Sequence, residues 1–298
     1  MSDNAPGGRD PFSKYRDELA AAGFKPSTSR GQNFLLDPSL HRWIAEQAGP
    51  TAADTVVEIG VGLGFLTREL AARAGKLLAV EIEPRLLAIA KRELAGADNI
   101  EWLLEDALGG PGRTLATRIA EVAEACTGRL LVIANLPYSV SGPMLAELAQ
   151  LSRLPDRIVV LVQKELGQRL AASHGSGTYG GLSGLMQSMF VVHSLRDVSP
   201  SVFRPKPKVW SSIIGLDRRT EVPAELLPAP ARRRFSLFLR KLFGQRRKAL
   251  RRTFALAKEA LERPDAVLRE EWSGMRAEAL SPDELVQLWG DCEGRSDS

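Results

Sequence analysis

From Thr55 to Gln163 short apolar runs alternate with amphipathic stretches, and little else that a chain can fold into carries that rhythm. "TVVEIG", "KLLAVEI", "IEWLLED", "RLLVIAN" and "RIVVLVQ" read as buried strands. "FLTRELAARA", "PRLLAIAKREL", "LATRIAEVAEA" and "GPMLAELAQL" read as the helices between them. Strands apolar throughout, each followed by an amphipathic helix, predict an α/β fold with a parallel sheet covered on both faces. "SLRDVSPSVFRPKPKVWSSIIGLDRR" breaks the rhythm and predicts two late strands around a Pro-rich loop that closes one sheet edge.

Before this core, residues 1 to 10 read as a Gly- and Pro-rich tail, Asp10 to Ala22 as a helix, and "KPSTSRGQNFLLDPS" as a loop. Asp37, with Pro38 behind it, caps a helix through His41 to Ala48. After the core, "TEVPAELLPAPA" marks a boundary, and everything beyond it reads as helical. Ala231–Phe243 and Gln245–Glu262 are amphipathic helices split by Gly244. "SPDELVQLWGDC" opens with a capping box from Ser281 to Glu284 and Pro282 at the first helical position. The expected organisation is a tail and helix over 1–29, an α/β domain over 30–218 and a small all-helical domain over 219–298.

The glycines after the first core strand narrow the ligand. "VEIGVGLGFLT" spaces Gly60, Gly62 and Gly64 as G-x-G-x-G, whereas the dinucleotide fingerprint needs G-x-G-x-x-G and here has Phe65 at the last place. No Gly-Lys-Ser/Thr follows, so this is not a phosphate-binding P-loop. Glu58, two residues before the first glycine, repels a pyrophosphate and suits a cationic ligand. S-adenosylmethionine carries a sulfonium and an amino group and no phosphate. Glu81 ends the second core strand, about 20 residues past the first glycine, where a carboxylate accepts ribose hydroxyls. Asp106 ends the third, where it reads an adenine amino edge. Glu83 is the second choice for the ribose. Each acid alone is as well explained as a solvated strand end; together they favour one nucleoside at the carboxyl edge of the sheet.

"VIANLPYSVSGP" ends the fourth strand, and Pro137 forces the strand to stop there. If the target is the exocyclic amine of a flipped base, its lone pair is tied up in the ring. Two acceptors on its N–H groups free it: the Asn135 side-chain oxygen and the Leu136 carbonyl, with Pro137 stiffening the turn. Tyr138 can stack on the base. The bland alternative is a strand-terminating turn with a buried tyrosine.

These motifs resemble those of the ribosomal small-subunit RNA adenine N6,N6-dimethyltransferases, from about Arg30 to about Phe254. The resemblance implies a Rossmann-like class I methyltransferase sheet with a small C-terminal helical domain. In "GQNFLLD" it places Gln32, Asn33 and Leu35 over the methionine end of the cofactor. In the glycine loop Val61 stands where proline is usual. "NLPYSVSGP" resembles a catalytic motif that more often reads Asn-Leu-Pro-Tyr-Asn-Ile-Ser. "VQKELGQRLAA" and "TYGGLS" also resemble family blocks. In "SPSVFRPKPKVWSS" the family implies that Phe203 sandwiches the adenine opposite Tyr138. The implied substrate is a pair of adjacent adenosines near the 3′ end of small-subunit (16S) rRNA in a 30S precursor. A sister family that methylates large-subunit rRNA and confers macrolide resistance shares the glycine loop. The same fold also admits a non-catalytic RNA-binding or assembly factor, and a small-molecule or protein methyltransferase.

Charge supports an RNA partner. The 298-residue chain has a net charge of only +4, but Ala231 to Arg252 holds ten cations and no acid. They are Arg232, Arg233, Arg234, Arg240, Lys241, Arg246, Arg247, Lys248, Arg251 and Arg252, beside an apolar stripe of Phe235, Leu239, Leu242, Leu250 and Phe254. A run this one-sided reads as a phosphate-tracking face. His41, His174 and His193 form no ligand pattern and, with two scattered cysteines, imply no metal. The tryptophans read as core. No apolar run approaches the roughly 20 residues of a membrane span, and the expectation is a cytoplasmic monomer.

Overall fold

The computed structural model describes residues 33–294, preceded by Ser13, Leu19, Ala20, Gly23 and Phe24. The expected N-terminal tail, most of the helix after it and Gln32 therefore lie outside the described residues. In chain order the elements that matter are β1 (Phe34–Leu35), α1 (Pro38–Ala48), β2 (Thr55–Ile59), α2 (Phe65–Ala71), β3 (Lys76–Glu81), α3 (Pro84–Glu93), β4 (Ile100–Leu104), α4 (Thr117–Ala125), β5 (Leu130–Asn135), α5 (Ser141–Leu148), β6 (Arg157–Gln163), α6 (Lys164–Leu170), α7 (Gly181–Gln187), β7 (Phe190–Val198), β8 (Phe203–Arg204), β9 (Ser211–Arg218), α8 (Ala229–Leu242), α9 (Leu250–Ala260), α10 (Glu270–Ser273) and α11 (Pro282–Glu293).

Seven strands form one sheet in the order β4-β3-β2-β5-β6-β9-β7. The first five are parallel; β9 joins antiparallel to β6, and β7 antiparallel to β9. β1 and β8 pair as a separate two-stranded ribbon. The chain order reverses beside β2, which runs between β3 and β5, and an open α/β sheet takes its ligand at such a switch point.

The strand core is apolar on both faces for the reason the runs suggested. Val57, Val132 and Val160 face one cluster and Val56, Ile133 and Leu161 the other. The first cluster does not stop at the sheet. It continues through Met144, Leu145 and Met186 into Phe235, Phe238, Leu239, Leu285 and Trp289, so α8 and α11 share a core with the strands. α1 starts as its cap dictates, with Asp37 Oδ1 accepting from the Ser39 and Leu40 amides and Pro38 in the first turn. α11 starts with the expected capping box between Ser281 and Glu284.

Candidate active site

The three loop glycines all adopt left-handed backbone, with φ of 85°, 58° and 80° at Gly60, Gly62 and Gly64. A side chain at Gly62 would also meet the Phe34 ring at 3.5 Å. The loop is tied to its neighbours: Gly60 N donates to Val80 O at 2.9 Å and Gly62 N to Glu81 Oε2 at 2.8 Å. Glu81 Oε1 accepts from the Ile82 and Glu83 amides at 3.0 and 2.9 Å. Burial pushes the Glu81 carboxyl above its usual range while these amides pull against it. Glu83 caps α3 through the Arg85 amide. Asp106 Oδ1 accepts from Leu108 N at 2.9 Å.

Above the ends of β2, β3 and β5 lies a cavity of about 420 Å³. Asn33, Leu35, Gly60, Gly62, Glu81, Asp106, Asn135 and Pro137 line it, together with Glu83 and Glu105. No Lys or Arg is on its wall among the described residues. Four carboxylates and no cation suit a ligand that brings positive charge and no phosphate, and the volume suits one nucleoside-sized molecule. The residues present therefore fit S-adenosylmethionine.

Two expected contacts are corrected. Glu58 is 1% exposed and lies beneath the loop, off the cavity wall. Its strand position points it toward the α1–α2 side, where Thr67 eases its burial slightly. Neither carboxyl oxygen has a hydrogen bond of ordinary geometry among the described residues. Burial pushes this carboxyl up to about 8. Gly64 shapes the loop as the residue before α2 but is also off the wall. Glu58 thus holds a proton in the folded chain that the unfolded chain has lost between about pH 4.5 and pH 8. Stability should fall as pH rises through that window, by up to about 1.4 kcal/mol per unit. Glu58→Gln should remove that slope, gaining on the wild type between thermal melts at pH 5 and pH 8. An equal difference at both pH values would reject the buried, protonated carboxyl.

At the end of β5, Asn135 Nδ2 donates to Asn33 O at 3.3 Å, which leaves the side-chain oxygen as an acceptor. Leu136 is buried and its amide donates to Leu161 O. Its carbonyl takes no hydrogen bond among the described residues. Pro137 O accepts from Val140 N and Ser141 Oγ, closing a stiff turn. Tyr138 is half-buried, with its hydroxyl 2.7 Å from Ser211 Oγ, and burial keeps the phenol neutral by raising it above its usual value. Phe203 is placed differently from the expectation. It pairs with Leu35 in the β1–β8 ribbon and is wholly buried in the apolar cluster around it, so it presents no face to a base in this conformation.

Several wall residues had no motif to reveal them. His41 comes from α1 and sits 5.7 Å, ring to ring, from Phe65. Burial pulls it down to about 4 against the pull of Asp37 and Glu69, so it adds no cation near neutral pH. Ile82 is 61% exposed yet lines the cavity beside Glu81. An apolar residue at an open strand end was the signal available.

The ten cations divide. Arg232 is buried and donates to the carbonyls of Ala149, Leu226, Leu227 and Leu151, so it is part of the joint between α5 and α8 and no phosphate ligand. Arg234 is committed to Glu293 and Leu261 O, and Arg246 to Gly177 O, Tyr179 O and Glu278. Arg233, Arg240, Lys241, Arg247, Lys248, Arg251 and Arg252 are exposed. Arg233 and Arg240 lie close enough to Glu147 on α5 to oppose the upward push of its burial. The basic helix therefore faces the helix that follows Asn135–Tyr138.

Known proteins resemble this chain in sequence and in fold. Residues 23–272 match the family model of ribosomal RNA adenine dimethylase. The chain is 39% identical over 228 residues to the ribosomal RNA small subunit methyltransferase A of Moorella thermoacetica, covering 76% of this chain and 78% of that one. It is 35% identical over 297 residues to the protein of the same name from Acidobacterium capsulatum, covering 97% and 99%. The fold matches a dimethyladenosine transferase from Plasmodium falciparum with a TM-score of 0.68 at 22% identity over 87% of this chain and 97% of that one. It matches the 23S rRNA methyltransferase ErmE with a TM-score of 0.61 at 23% identity, over 88% and 100%. With the glycine loop, the strand-end acids, Asn135 and Pro137 meeting at one cavity, and Leu136 and Tyr138 off its wall, the chain belongs to the ribosomal RNA adenine dimethylase family.

Proposed function

We propose that this protein uses S-adenosylmethionine to dimethylate N6 of two adjacent adenosines near the 3′ end of small-subunit rRNA, during assembly of the subunit. The observation that carries this reading is the Asn135 side-chain oxygen, left as an acceptor on the cavity wall, with the unengaged Leu136 carbonyl next to it in the chain.

Glu81 and Asp106, with Glu83 second to Glu81, are the groups to hold the nucleoside part of the cofactor, and Asn33, Leu35, Gly60 and Gly62 its methionine part. The bound cofactor supplies a methyl group on a sulfonium, a good leaving group. Asn135 and Leu136 accept the two N–H groups of the adenine amine and turn its lone pair out of the ring. Pro137 keeps the two acceptors in register. Tyr138, its hydroxyl pinned by Ser211, stacks on the base. The nitrogen gains a methyl and loses a proton that is acidic enough to pass to water, so no general base is required. Placement and charge do the work. The exposed cations of α8, α9 and the turn between them track the RNA backbone. Both cysteines are free and buried, and among the described residues no helix is long and apolar enough to cross a membrane. We read the enzyme as a cytoplasmic monomer.

Labelled methyl from S-adenosylmethionine should enter isolated, unmodified small subunits at two adjacent adenosines. Label on large subunits would move the target to the sister family; none anywhere would end the catalytic reading. Arg251→Ala with Arg252→Ala should weaken small-subunit binding and flatten the slope of log affinity against log salt by about one for each phosphate no longer neutralised. An unchanged slope would remove both residues from the RNA face.

A further inference from the structure

Of the five tryptophans, Trp210 departs from the expectation of core placement. It is 50% exposed, next to Val209 at 45%. It stands at the carboxyl edge of the sheet, with its carbonyl accepting from Lys164 N at the end of β6. The next residue is Ser211, whose hydroxyl meets Tyr138. Consecutive Cα atoms are about 3.8 Å apart, so the indole is anchored one residue from Ser211, the side chain that holds the Tyr138 hydroxyl.

The ring also has a cation beside it. Lys164 Nζ lies 5.8 Å from its centroid. That ammonium is held at 2.5 Å by Asp197, which in turn accepts from Ser212 Oγ at 2.6 Å. The segment leading in, "RPKPKVW", has three cations and no acid, and Lys206 and Lys208 are exposed. A half-open aromatic face among cations beside a base pocket has the two properties that bind an unpaired nucleotide: a surface to stack on and charge for its phosphate.

We propose that Trp210, backed by Val209, is a stacking platform for the base adjacent to the adenosine under modification. The proposal rests on the reading of this protein as an RNA methyltransferase. Turning one base into the pocket strips its neighbour of a stacking partner. Trp210 replaces that partner. In a substrate with two adjacent targets, each adenosine occupies the platform while the other occupies the pocket.

The test compares wild type, Trp210→Ala and Trp210→Phe as full-length proteins on unmodified small subunits. It reads kcat/KM for methyl transfer, subunit affinity over a salt series, and S-adenosylmethionine affinity as the control for folding. Trp210→Ala should lose about 5- to 150-fold in kcat/KM and in subunit affinity. Trp210→Phe should recover most of it. Cofactor affinity and the salt slope should stay at wild-type values. Full activity in Trp210→Ala overturns the platform. So does a phenylalanine variant no better than alanine, or a flatter salt slope, which would mean the ring only props nearby cations. A wild-type protein that labels no RNA but loses RNA affinity on Trp210→Ala would keep the platform and remove the catalytic reading. One that neither labels nor binds RNA would remove both.

Discussion

Asn135→Ala should lower kcat for methyl transfer by about 10²–10³-fold, the effect of deleting one preorganised polar group at a reacting centre. The structure separates this from a folding defect by magnitude. The side chain bonds Asn33 O at 3.3 Å, an interaction worth about 0.5–1.5 kcal/mol. Its loss should cost less stability than one or two ordinary core changes and leave subunit affinity near wild type. Asn135→Asp is the informative partner. It keeps an acceptor oxygen but gives up the donor to Asn33 O, so it should retain more activity than alanine while loosening the wall. Single-turnover rates with saturating cofactor make the comparison. Alanine within tenfold of wild type would take the Asn135 oxygen out of the mechanism and leave the Leu136 carbonyl without its partner acceptor.

The strands were legible because a sheet buried on both faces leaves few polar positions to disguise it. Val56 to Ile59 and Leu130 to Ala134 are buried throughout, and Glu58 is their one ionisable side chain. Helix starts at Asp37 and Ser281 were legible because caps act within three residues. The strand-end acids were legible because parallel register aligns them: Ile59 pairs with Val80 and Ala134, and Glu81 with Leu104. What escaped the sequence was set by partners far along the chain. α6 follows β6 without an intervening loop, so no turn residue announced it. β7 is exposed along most of its length and shifts register between Ser194 and Arg196, which blurs its alternation. Glu58 and Arg232 carry side chains whose local patterns suit a ligand, and the family resemblance implied a base contact for Phe203, yet tertiary packing buries all three. Trp210 shows the reverse: its size suggested core, and its place at the strand's open end kept it out.

Arg232→Ala should be the most destabilising change among the ten cations, because this residue works as a buried joint. Its guanidinium satisfies Ala149 and Leu151 at the end of α5 and Leu226 and Leu227 before α8. Burial pulls it down to about 10, still charged at neutral pH, and five fixed N–H donors spread that charge over carbonyls. Truncation orphans those carbonyls at about 1–3 kcal/mol for a buried unsatisfied group, and a total of about 3–5 kcal/mol is the scale for breaking such an arrangement. Against a typical stability of about 5–15 kcal/mol this is severe. Lysine should not rescue, since one point charge cannot span both sides of the joint. Arg240→Ala, on the exposed side of the same helix, should change stability by no more than about 0.5 kcal/mol and weaken RNA binding. Chemical denaturation of both variants with subunit affinity in parallel decides the matter. A stable Arg232→Ala that binds RNA poorly would return the residue to the phosphate face. The expected opposite pairing, an unstable Arg232→Ala and a stable, weak-binding Arg240→Ala, would mean that one basic helix has divided its charge between locking itself to the catalytic domain and reaching for the RNA.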